Sequence, residues 1–169
     1  MPRPDLSSTP LFFHTYINQA PGNDVNKLIS EQSAFLFRFL SRIPVSKRKY
    51  RYARGKWTIQ DMLQHMIDTE RVFAYRALCF ARQEKASLPS FDENSYADHS
   101  GAGRRDWNDL INEFKAVRRS TEILFRSFNK KQLQTTGIAN QHPVSVLAMG
   151  FIIAGHVNHH CRVLKERYL

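Results

Sequence analysis

Cysteine is scarce in this chain: Cys79 and Cys161 are the only two among 169 residues. Both fall inside apolar helical patterns rather than turns, so no disulfide framework can form and reduced, buried thiols are expected. Glycine and proline are also few, seven of each, which excludes collagen-like and low-complexity sequence. Long apolar runs are missing: the longest, Val144 to Val157, is too short and interrupted to span a bilayer, so no membrane segment is expected. Met1-Pro2-Arg3-Pro4-Asp5 contains no apolar leader, and a cytoplasmic location is expected. Strand signals are scarce too, with no sustained two-residue alternation and no Asn-Gly or Asp-Gly hairpin turn.

What is present is apolar sequence in helical register. Hydrophobic residues make up 42% of the chain and phenylalanine alone supplies 12, ample for the core of a single domain over residues 1–169. Four long apolar patterns at three- and four-residue spacing define an all-α fold. The first follows Asp24 as N-cap, with Val25, Leu28, Ile29, Gln32, Phe35, Leu36, Phe39, Leu40 and Ile43 on one face and Pro44 beyond its end. Before it, residues 10–18 predict a short lead-in helix stopped by Pro21-Gly22.

The second long helix starts at Thr58, with Asp61 placed for a capping box, and runs to about Gln83. At about 100° per residue, Met62, Met66, Phe73, Ala77 and Phe80 centre its buried stripe. His65, Thr69, Val72 and Arg76 form the adjacent one, and Glu70 borders the other side. Residues 84–105 lack periodicity and read as a long loop, the kind that often serves as a lid. The third helix is expected from about Asp106 to Phe128, with Arg118 beside its buried stripe. The fourth, from Pro143 or Ser145 to Tyr168, is apolar nearly all round in its first half and is expected at the centre. The fold class expected is an all-α, up-down four-helix bundle with a short N-terminal helix and a long loop between long helices two and three.

Chemistry concentrates in Gly155-His156-Val157-Asn158-His159-His160 on that central helix. His156 and His160, four residues apart, share one face and can reach one divalent metal, and His65 on a facing helix could complete a set of three. Chance spacing, with the histidines as hydrogen-bonded core residues, is the competing reading. His159, three residues from His156, competes as ligand. Val157 stands where a zincin protease carries its general-base glutamate, so peptidase chemistry of that kind is disfavoured.

Gly55-Lys56-Trp57-Thr58 through His65-Met66-Ile67-Asp68-Thr69-Glu70-Arg71, followed by Gly155-His156-x-x-His159-His160 and Glu166-Arg167-Tyr168, resembles the DinB-like (DinB/YfiT) superfamily of metal-binding four-helix bundles. The resemblance covers the whole chain in helix order. It implies a metal held by His65, His156 and His160, and it decides for His160 over His159. It further implies relatives that include bacillithiol- and mycothiol-dependent transferases and isomerases, and homodimers. Zinc or nickel is the expected ion, although imidazole suits several divalent metals.

The expected function is a metal-dependent enzyme on a small molecule, a low-molecular-weight-thiol S-transferase or a hydrolase. The alternative is a non-catalytic metal- or ligand-binding module. Arg76 and Gln32 are candidate substrate-binding residues, each with a structural alternative as a paired or hydrogen-bonded core group. Glu70, Arg76 and Arg118 border apolar stripes and are expected to be paired or water-facing. Lys plus Arg outnumber Asp plus Glu by 25 to 15, giving +10. The basic runs nevertheless lie near helix ends without a nucleic-acid motif, and nucleic-acid binding is disfavoured. His14, His99 and His142 are assigned no role, except that a lid could carry His99 over the site.

Overall fold

In the computed structural model, which describes residues 3–169, each of the four long helices starts on a side chain that satisfies its free N–H groups. Asp24 caps α2 (Val25–Ser41), and Thr58 with Asp61 closes a reciprocal capping box on α3 (Ile59–Ala81). Asp106 caps α5 (Trp107–Ser127) and Ser145 caps α7 (Val146–Arg167). The lead-in helix is α1 (Leu11–Gln19). Met1 and Pro2, which open the segment read as lacking an apolar leader, lie outside the described residues. Among the described residues no helix is long and apolar enough to cross a membrane.

The long helices form the expected bundle, and cross-helix contacts fix their directions. From α3, Gln60 donates to the carbonyls of Ala102 and Arg105 just before α5, and farther along Arg71 pairs with Glu113 and Glu70 with Arg118, both on α5. Residue numbers rise together, so α3 and α5 run parallel. α2 runs against α5, with Phe37 on Phe114 and Ser33 on Glu122, but along α7, with Gln32 at Ala154 and Lys165 over Phe35 and Phe39. The order of directions is therefore up, down, down, up: alternation holds from α2 to α3 and from α5 to α7, not between α3 and α5. α2 and α3 occupy opposite corners, each packed on both α5 and α7.

That parallel step explains the long connection after α3, because the chain must return along the bundle before α5 can start. The connection is not structureless, contrary to the aperiodic loop expected. It contains α4 (Glu93–His99), capped by Asp92, and a 3-10 turn at Ala102–Arg104. The second departure lies between α5 and α7, where α6 (Lys130–Gln134) leads into an antiparallel hairpin of β1 (Thr136–Ala139) and β2 (His142–Ser145). Its turn residues Asn140 and Gln141 both have positive φ, 50° and 64°, the conformation that tight hairpins usually meet with Asn-Gly. Glutamine in the second place conceals the signal, and Pro143 belongs to β2 rather than to α7. Leu88 joins this edge through both backbone groups, donating to Ile138 and accepting from Asn140.

The core is divided. One apolar cluster, with Phe13, Ile29, Phe80, Phe125 and Phe151, fills the hairpin end, and another, with Leu40, Leu63, Trp107, Phe114 and Leu164, fills the other. Between them lies a buried polar layer. Arg118, 1% exposed, places Nη2 2.7 Å from Glu70 Oε2 and donates from Nη1 to Gln32 Oε1 at 3.2 Å. Gln32 Nε2 donates in turn to the Ala154 carbonyl and to Asn158 Oδ1, and Asn158 donates to the Gln19 carbonyl. Burial pushes the Glu70 carboxyl up, and the Arg118 guanidinium pulls it back.

Removing one partner strands a buried charge, which typically costs ~3–5 kcal/mol. Arg118→Met is therefore expected to destabilise by about that amount in urea unfolding. A double-mutant cycle with Glu70→Gln should return a coupling of about 0.5–3 kcal/mol; additive effects would show that the two side chains act independently.

Candidate metal centre

His65 sits nearly two turns into α3 on a face turned toward α7, and α7 is buried on nearly every side over residues 146–157. The four-residue spacing on α7 stacks His156 and His160 on adjacent turns facing His65. All three are buried, and their ligand atoms lie within 4.8 Å of one another. His156 Nε2 is 3.0 Å from His65 Nε2 and 3.0 Å from His160 Nε2.

Three imidazole nitrogens converging on one point cannot all be satisfied by each other, because a neutral ring carries a single N–H. Two nitrogens bound at ~2.1 Å to one divalent ion sit about 3.0 Å apart at a right angle and about 3.4 Å apart at the tetrahedral angle. The observed spacing fits that donor set. Outer contacts are sparse: His65 Nδ1 is 3.4 Å from Thr69 Oγ1, and His160 Nδ1 is buried without a partner among the described residues.

Burial keeps the cluster neutral. His65 is lowered from 6.5 to about 4 by burial, with His159 contributing. His156 and His160 lie well below the ordinary value for the same first reason, reinforced by the neighbouring imidazoles. Neutral imidazole is the form that binds a metal.

Aromatic rings wall the cluster. Trp57 lies 4.6 Å from His65 between ring centroids, Phe73 6.3 Å from His156, and Tyr16 of α1 sits edge-on to both His156 and His159 at 5.4 and 5.5 Å. Tyr16 comes this close because residue 155 is glycine: a Cβ there would fall 1.8 Å from the Tyr16 carbonyl oxygen. Burial, and then Glu93 of α4, raises the Tyr16 hydroxyl pKa. Tyr16 escapes sequence reasoning because it belongs to no histidine pattern, its one signal being the glycine at 155; Trp57 stands in the Gly55-Lys56-Trp57-Thr58 motif but is given no role there.

The other candidate residues lie elsewhere. Gln32 belongs to the polar layer and faces the α2–α7 side, where it borders a groove of about 660 Å³ with Leu28, Phe35 and Asn158. Arg76 lies beyond Phe73, donating to the Pro89 carbonyl at 2.7 Å. His159 stays at the rim, half-buried. His99 bonds to the Ser95 carbonyl on the exposed face of α4, beside Asp68 and Arg71, and is not brought to the cluster. Of the basic runs, Lys47 donates to the Tyr168 carbonyl and Arg48 packs over Trp107.

A family model described as the DinB superfamily matches residues 29–164. Sequence comparison with curated proteins finds no match. Among solved structures, the chain is similar to YfiT from Bacillus subtilis, described as a probable metal-dependent hydrolase with an unusual four-helix bundle topology. The TM-score is 0.74 at 15% identity, covering 97% of this chain and 90% of that one. It is also similar to a mycothiol-dependent maleylpyruvate isomerase, with TM-score 0.68 and 12% identity, over 82% of this chain and 58% of that one.

The unfolded chain takes up protons on its imidazoles as pH falls below about 6.5, whereas folded His65 resists protonation down to about 4. Protonation across that window favours the unfolded state. Chelator-treated protein is thus expected to lose thermal stability steadily as pH falls from 6.5 to 4, and His65→Gln should flatten the decline. A wild-type melting temperature constant across this range would contradict burial of a neutral cluster.

Proposed function

The chain belongs to the DinB superfamily, and from that premise we propose that it is a metal-dependent enzyme acting on a small molecule, with His65, His156 and His160 as the ligands of one divalent ion. The observation that carries the reading is the convergence of three buried imidazole nitrogens, 3.0 Å apart in the His65–His156 and His156–His160 pairs. An ion held there would supply Lewis acidity, lowering the pKa of a thiol or water that reaches it. Zinc or nickel suits an all-imidazole donor set.

The chain's own side chains define the rest of the site. Trp57, Phe73 and Tyr16 exclude bulk water from the cluster, which strengthens electrostatic interactions inside it. Tyr16 keeps its hydroxyl proton at neutral pH, so it can donate a hydrogen bond at the rim. Cys161 is no internal nucleophile, since burial pushes its thiol up to about 12. Cys79 is 14 residues from His65, about 21 Å along α3. A reacting thiol therefore comes from outside the chain.

Two reactions fit this arrangement: S-transfer with a low-molecular-weight thiol, and hydrolysis. The structural relatives are described as a hydrolase and a thiol-dependent isomerase, and the lack of an internal thiol nucleophile is compatible with either. The second reading, a non-catalytic module that sequesters an ion, rests on the burial of all three histidines. A cytoplasmic location and a homodimer belong to the same proposal.

Metal analysis of purified protein is expected to give one ion per chain, and single His65→Ala, His156→Ala and His160→Ala substitutions should each strip most of it. Full occupancy in His65→Ala would refute the three-histidine site. Turnover of thiol–electrophile pairs or of ester and amide substrates, lost on chelation and restored by zinc or nickel, distinguishes enzyme from module. Tight metal binding with no turnover across both panels favours the module.

A further inference from the structure

Arg76 is 6% exposed and has no carboxylate within 4.0 Å among the described residues. The other interior guanidinium, Arg118, has Glu70. Arg76 has one protein acceptor, the Pro89 carbonyl, and its Cζ lies 5.7 Å from the Phe73 ring centroid and 5.8 Å from that of Phe91. A largely buried guanidinium without a counter-ion is left to water or to a ligand, and an anion that reaches it gains a charge-assisted partner.

A cleft of about 300 Å³ opens onto this group, lined by Val72, Tyr75, Leu88, Pro89, Phe91 and Tyr96. That volume is at the small end of ligand pockets and holds a single ring with a short substituent. Its wall is fixed on two sides: Leu88 is hydrogen-bonded through both backbone groups to the hairpin edge, and Pro89 is held by Arg76 itself. Arg71, at the rim, is already engaged by Glu113 and Asp68. The cleft thus combines apolar and aromatic walls with the guanidinium of Arg76, and the Phe73 ring stands between Arg76 and the histidine cluster.

We propose that this cleft between α3 and the 88–96 segment is a second small-molecule site, which takes a flat aromatic monocarboxylate with Arg76 as its counter-ion. The carboxylate accepts hydrogen bonds from the guanidinium, the donor geometry for which arginine is best suited. The ring packs among Leu88, Phe91 and the two tyrosines. The site stands whether or not the histidines bind metal.

Titration of the full chain with benzoate and, in parallel, with benzamide, followed by NMR with and without chelator, tests this. Benzoate is expected to saturate one site, to shift the ring resonances of Tyr75 and Tyr96, and to bind roughly tenfold or more tightly than the uncharged amide. Chelator should leave that binding unchanged. Arg76→Met should abolish the preference for benzoate; where that variant does not fold, Ser90→Trp, which fills the cleft from its wall, should abolish benzoate binding instead. Equal affinity for benzamide, no saturation, loss of binding on chelation, a preference for benzoate that survives in folded Arg76→Met, or benzoate binding that survives in Ser90→Trp overturns the proposal.

Discussion

The bundle is organised around one interior guanidinium. Arg118 on α5 holds Glu70 on α3 and Gln32 on α2, and Gln32 passes the connection to the α7 backbone and to Asn158, which reaches α1. Five helices are joined through this connection, and at its centre Arg118 and Glu70 are cut off from water. Apolar contacts tolerate sliding, whereas this chain of hydrogen bonds is satisfied at one register only. The two apolar clusters lie on either side of it, so it fixes how α3 and α7 face each other.

That register matters because His65 belongs to α3 and its two companions to α7. A shift of one residue along either helix moves a side chain by about 1.5 Å and turns it by about 100°, enough to scatter three nitrogens that lie within 4.8 Å of one another. Glu70 is five residues from His65, and Ala154, which accepts from Gln32, is two from His156. The same layer that divides the core therefore aligns the histidines.

Much of this was legible in the sequence because it is local. Asp24, Thr58 with Asp61, Asp106 and Ser145 mark four helix starts, and the observed boundaries follow them. The burial of Glu70 and Arg118 followed from their places beside apolar stripes. The directions of the helices were not legible, since periodicity defines a face and says nothing about which way a neighbour runs. Nor was the hairpin, whose turn uses Gln141 where a glycine would have announced it. At the site, the spacing from His156 to His160 was readable, as was the stripe carrying His65. Of the rings that wall them, Phe73 lies on the predicted stripe of α3, whereas Tyr16 comes from α1 and Trp57 from the segment before α3, and only tertiary packing brings those two there. Arg76 lay on the stripe of His65, yet 11 residues is about 16 Å of helix, and Phe73 stands between.

Gly155 lets α1 lie against α7, and α1 carries Tyr16 over the histidines. The two segments are about 140 positions apart in the chain, so their docking closes one of the longest loops in the fold. α1 is short and leaves Leu11 and Phe12 exposed, yet it buries Phe13 and Ile17 and packs chiefly on α7. The cover over the histidines is thus held by the meeting of segments from opposite ends of the sequence, and a single added methyl group at residue 155 would be enough to lift it.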